Sequence, residues 1–113
     1  MKFYNAAGRD AYLAGFHAAQ ALISERTSRS VKSHGGVNSE LHRLIRGDVR
    51  IDDELRTFLS FAYNLKAIAD YETGPNSEIS AERAAEAVTV ARRFVTKMIE
   101  LIETDPHGVQ SSP

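Results

Sequence analysis

Apolar residues recur every three to four positions in four stretches of the chain, and no stretch alternates apolar with polar residues for long enough to make a strand. The spacing predicts an all-α protein. A first helix is expected from about Asn5 to about Glu25, where Ala7, Ala11, Ala14, Ala18, Ala21 and Leu22 form a seam of small side chains that lets a neighbouring helix come close. Tyr12, Phe16, Ala19 and Ile23 give the same helix a second apolar face. A helix that is hydrophobic nearly all round is expected to be buried on most sides.

The segment 26–36 has no helical stripe, and Gly35-Gly36 is a strong breaker, so it reads as a loop. A short second helix is expected from about Asn38 to about Arg46, burying Leu41, Leu44 and Ile45, with Gly47 where a left-handed terminal residue is wanted. The third, from about Asp52 to about Tyr71, places Leu55, Phe58, Leu59, Ala62, Leu65 and Ala69 on one face, and Asp52, Asp53 and Glu54 suit the positive end of its dipole. Gly74-Pro75-Asn76 ends it. Ser80 is placed to cap a fourth helix from about Ala81 to about Glu103, where Ala84, Ala87, Val88, Ala91, Val95, Met98 and Ile102 repeat with the spacing of a bundle seam. Residues 1–103 thus read as one up-and-down four-helix bundle. Residues 104–113, without an apolar anchor beyond Val109, read as a disordered tail.

The chain has 113 residues, 42% of them hydrophobic, and a formal charge of -1, which suits one core and is too small for two. It has no cysteine, so disulfides and thiolate metal sites are excluded and a reducing cytoplasm is the expected location. The apolar stretch from Ala11 to Ile23 is broken by Gly15, His17 and Gln20, and matches neither a signal peptide nor a membrane span. The near-neutral charge argues against a constitutive nucleic-acid coat, although Arg26, Arg29, Lys32 and His34 form a local basic patch. Gly-rich phosphate loops, nucleophile elbows and cysteine nucleophiles are all missing, which disfavours common kinase, hydrolase and dehydrogenase chemistry. His17, His34 and His42 include no pair at i, i+4, so no metal site is expected, and no motif calls for a cofactor.

The segments 4–22 (YNAAGRDAYLAGFHAAQAL), 32–37 (KSHGGV) and 62–71 (AYNLKAIADY), in this order, resemble the HEPN domain family (higher eukaryotes and prokaryotes nucleotide-binding). The resemblance covers roughly residues 4 to 103. It implies a helical bundle that commonly dimerises and often belongs to toxin–antitoxin, nucleotidyltransferase-partnered or RNA-cutting systems. Similar proteins usually carry a further helix before the one that starts here near Tyr4, which leads us to expect an open groove covered by a second subunit or a partner. RNA-cutting members carry an Arg followed four to six residues later by a His on a late helix. The third helix here has no His and offers only Lys66, Asp70 and Tyr71. Where similar non-cleaving members have Arg ahead of Asp-Tyr, this chain has Lys66, which keeps the charge and loses the bidentate fork.

Arg29 and His34 do make an Arg-x4-His pair, but in the loop after the first helix. Read functionally, His34 would be a general acid or base toward RNA. Read structurally, Ser33-His34 caps a helix and fixes a loop. Lys66 and Asp70 lie one helical turn apart, so an ion pair is easy. Their functional alternative is a polar pocket in which Lys66 meets a phosphate and Tyr71 stacks on a base. A lone His17 in an apolar helix reads as a core or interface residue. The leading expectation is a non-catalytic, oligomeric module that binds a nucleotide, RNA, or a partner such as a minimal nucleotidyltransferase or antitoxin. The alternatives are a metal-independent endoribonuclease using Arg29 and His34 across a dimer cleft, and a structural scaffold without a small ligand.

Overall fold

The computed structural model describes residues 3–70 and 78–104. Four helices account for nearly all of it: α1 (Phe3–Thr27), α2 (His34–Ile45), α3 (Asp53–Asp70) and α4 (Ala81–Glu103). There is no strand among the described residues. The long helices alternate in direction. Arg9 reaches Asp70 at the end of α3 and Gly15 faces Phe58 near its start, so α1 and α3 are antiparallel. The Asn5 carboxamide accepts a bond from Ile79 N just before α4, and Arg26 donates to the Leu101 carbonyl near its end, so α1 and α4 run together.

The core is one cluster that takes Leu22 and Ile23 from α1, Val37, Leu41 and Ile45 from α2, all six predicted residues of α3, and Phe94 and Met98 from α4. Phe58 and Phe94 stack obliquely at its centre, with ring centroids 5.0 Å apart. On α4 the buried stripe is rotated from the expected one. Val90, Phe94 and Leu101 are buried with Ala84, Ala87, Ala91 and Met98, whereas Val88, Val95 and Ile102 are only partly covered. Large side chains one position away win the contact with α3, because filling the core with Phe94 removes more apolar surface from water than Val95 would. Leu44, expected inside, is likewise half-covered, and Val37 takes its share of the contact.

Two helices differ in their bounds from what the spacing predicts. The first helix is longer than expected at both ends, and Ser28, in the left-handed region at φ 58°, stops it with its N–H bonded to the Ser24 carbonyl. The chain then doubles back along α1, pinned by Gln20, whose amide donates to the Val31 carbonyl. The second correction follows. Helix α2 starts at His34, not near Asn38, and contains the Gly35-Gly36 pair read as a breaker. Ser33 caps it by accepting from Gly36 N at 3.0 Å. A side chain at Gly36 would crowd this cap, since its Cβ would sit 2.7 Å from Val31 Cγ1 and 2.8 Å from Ser33 Oγ. The expected features at Gly47 (φ 73°) and Ser80, whose Oγ accepts from Arg83 N, are present. The turn at Gly74-Pro75-Asn76 and the tail 105–113 lie outside the described residues.

Helix α1 is not buried on most sides. Leu13 is 42% exposed, and Ala14 and Ala21 of the predicted seam face outward. Part of this face forms a shallow groove of about 650 Å³ between α1 and α4, where Ala7, Ala11 and Ala14 oppose Val88, Ala91 and Val95. Asp10 and Arg92 stand in its lining. No described helix is long and apolar enough to cross a membrane.

Candidate ligand site at the α1–α2–α3 junction

Because the chain returns along α1, the start of α2 arrives beside the middle of α1 and the second half of α3. Three aromatic rings meet there. The His34 ring lies on Tyr63 with centroids 3.9 Å apart and 16° between planes, and its Nδ1 is 2.9 Å from the Tyr12 hydroxyl. Tyr12 is buried and packs against Tyr63 and Phe16 at centroid distances of 5.6 and 5.5 Å. Burial, reinforced by the neighbouring Tyr63, pushes the Tyr12 hydroxyl up to about 12. It is therefore an uncharged hydroxyl at any physiological pH, able to donate to or accept from an imidazole. Burial also lowers the His34 pKa and favours the neutral ring.

One to two turns further along α3, Tyr63, Lys66, Ala67 and Asp70 line a hollow of about 270 Å³. The i, i+3, i+4, i+7 spacing puts all four on one face of the helix. Tyr63 is 41% exposed, with one ring face backed by His34. Lys66 Nζ donates to Asp70 Oδ2 at 2.6 Å, while Arg9 Nε donates to Asp70 Oδ1 at 3.1 Å. These two cations hold the Asp70 carboxyl below the usual carboxylate range, Lys66 foremost. The Arg9 Nη2 atom also donates to the Ala69 carbonyl at 2.8 Å, satisfying part of the α3 C-terminus. An aromatic face beside fixed cations suits a planar ring carrying an anionic group.

His34, Lys66 and Asp70 are thus neighbours on one surface, joined by Tyr12, Tyr63 and Arg9, which the sequence reading did not single out. Tyr63 carried a usable signal, since it is three residues before Lys66 on the same helical face. Arg9 and Tyr12 carried none, because 61 and 22 residues of chain separate them from their partners. Tyr71 lies outside the described residues. Arg29 is exposed; its charge bears on Glu40 of α2, and no described hydrogen bond or ring contact links it to His34. His17 is also exposed and bonds Gln20. Among the described residues, no group of three His, Asp or Glu side chains is arranged to hold a metal ion.

Compared with known protein families, the chain matches the HEPN domain over residues 1–102. It belongs to the HEPN domain family. No curated protein and no solved structure matches it. In this HEPN domain α3 and α4 contain no histidine at all, so an Arg-x4-6-His pair on either helix is ruled out by the residues themselves.

Proposed function

We propose that this HEPN domain is a non-catalytic binding module that receives a nucleotide, free or as part of an RNA strand, on the α3 face beside the start of α2. The observation that carries the reading is the backed aromatic platform: Tyr63, half-exposed and stacked on His34, stands one turn from Lys66. A base stacks on such a ring without sequence preference, and the adjacent cation meets its phosphate. Tyr71, next in the chain after Asp70, is a second stacking candidate. The non-catalytic part rests on His34, whose Nδ1 and one ring face are engaged by tyrosines, and on the lack of an Arg-His pair on α3 or α4.

The module is a cytoplasmic component of a toxin–antitoxin or nucleotidyltransferase-linked system, a reading that rests on the family resemblance. It works as a homo-oligomer, with the α1–α4 groove as the contact. Asp10 and Arg92 both line that groove and carry opposite charges, and in a two-fold contact each has its complement on the other copy. A strictly monomeric species by light scattering at micromolar concentration removes this last element.

The binding reading is tested with labelled RNA and adenosine 5'-monophosphate in chelator. Lys66→Ala and Tyr63→Ala are expected to lose binding, Lys66→Ala with unchanged melting temperature, and the RNA is expected to stay intact. Binding that survives Lys66→Ala while stability falls defeats the site. Cleavage that disappears in both folded His34→Ala and Arg29→Ala establishes the ribonuclease instead.

A further inference from the structure

Asp70 is an anion held between two cations at a place where the helix itself disfavours one. It is the last residue of α3, at the negative end of the helix dipole, where a carboxylate is repelled. What keeps it there is Lys66 on one oxygen and Arg9 on the other. The three side chains are 33%, 33% and 45% exposed for Lys66, Arg9 and Asp70, an environment in which ion pairs hold weakly. The Arg9 guanidinium has a separate anchor on the Ala69 carbonyl, so it stays in position whether or not the carboxylate does. The arrangement is a two-cation cradle closed by a displaceable internal anion, on the rim of the hollow that Tyr63 also lines.

We infer that Asp70 is a built-in competitor for the phosphate group of the ligand: a phosphate monoester takes the Lys66 and Arg9 contacts, and the Asp70 side chain swings out to solvent. The inference rests on the nucleotide-binding reading above and specifies which atoms receive the phosphate and what must leave. A phosphate monoester fits because it offers two oxygens to two donors, as the carboxylate does, with a larger negative charge. The free site is then self-screened, because any anion that enters must displace a carboxylate already in place.

The test compares the wild-type chain with Asp70→Asn in calorimetric or NMR titrations with adenosine 5'-monophosphate and with adenosine, at neutral pH and low salt. Removing a competing unit charge a few ångströms from the phosphate is expected to tighten nucleotide binding roughly fivefold or more. Adenosine, which lacks the phosphate, is expected to bind both proteins equally. In the Lys66→Ala, Asp70→Asn double variant the gain is expected to vanish. Detectable nucleotide binding by Asp70→Asn alone also supports the inference. Nucleotide binding by the wild type that is unchanged or weaker in Asp70→Asn overturns it and leaves the nucleotide reading standing. A gain that persists without Lys66 overturns it as well. If neither protein binds the nucleotide, both readings fall together.

Discussion

Two glycines of α1 provide a matched test of how this helix is seated, because the same substitution is expected to have different outcomes seven residues apart. Alanine in place of a helical glycine favours folding by roughly 1 kcal/mol. At Gly8 the new Cβ would lie 2.5 Å from Ile79 Cδ1, with the next atoms at 3.8 and 3.9 Å. The obstacle is the tip of one flexible side chain, and rotating it costs about 0.5–1.5 kcal/mol, which nearly cancels the gain. At Gly15 the Cβ would lie 2.4, 3.2 and 3.4 Å from three atoms of the Phe58 ring. That ring is 1% exposed and already packed on Phe94, so it has no free direction in which to move. Overpacking of this kind costs about 1–3 kcal/mol, and with a rigid ring the upper part of that range applies. The net expectation for Gly15→Ala is a loss of about 1–2 kcal/mol, or roughly 4–8 °C in melting temperature. Gly8→Ala should stay within about 0.5 kcal/mol of wild type. Thermal and urea unfolding followed by circular dichroism measures both. A Gly15→Ala protein as stable as wild type, or more stable than Gly8→Ala, refutes the close α1–α3 seating. That seating also brings Arg9 and Tyr12 to the candidate site.

Other outcomes follow from single contacts. Asn5 is 1% exposed and its Oδ1 accepts from Ile79 N at 2.7 Å, so Asn5→Ala strands a buried N–H and should cost about 1–3 kcal/mol by urea unfolding. A wild-type midpoint in that variant would show the bond to be dispensable. Burial lowers the His34 pKa below its unfolded value near 6.5, so as pH falls the unfolded chain takes up the proton first. The stabilisation is complete above about 6.5 and is lost as pH falls from there through the folded-state value. His34 faces Tyr12 from α1 and Tyr63 from α3, and Tyr12 stays uncharged throughout this window. His34→Gln should flatten the decline in melting temperature between pH 7 and 5, and an unchanged slope would assign the decline to other groups.

The sequence by itself determined the helices that carry their own periodicity and caps. The α3 stripe from Leu55 to Ala69 is buried as its spacing requires, Ser80 caps α4, and Gly47 adopts the left-handed turn. Three sequence segments between Tyr4 and Tyr71 carried the HEPN resemblance, and the family match spans them. At the site, the Lys66–Asp70 pair was legible because an i, i+4 relation is fixed by one turn of helix. Only the tertiary structure decided the rest. Gly35-Gly36 is helical because Ser33 caps the turn and the chain, folded back along α1, brings Val31 beside it, where a Cβ on Gly36 would collide. Which face of α4 goes inward was settled by the fit of Phe94 against Phe58, a volume match between distant helices that periodicity alone does not encode. The grouping of Arg9, Tyr12, His34 and Tyr63 around the Lys66–Asp70 pair likewise depends on where α1 and α2 dock on α3. Local rules act over a few residues, whereas these contacts span 22 to 61, and only the packing of the whole chain brings them together.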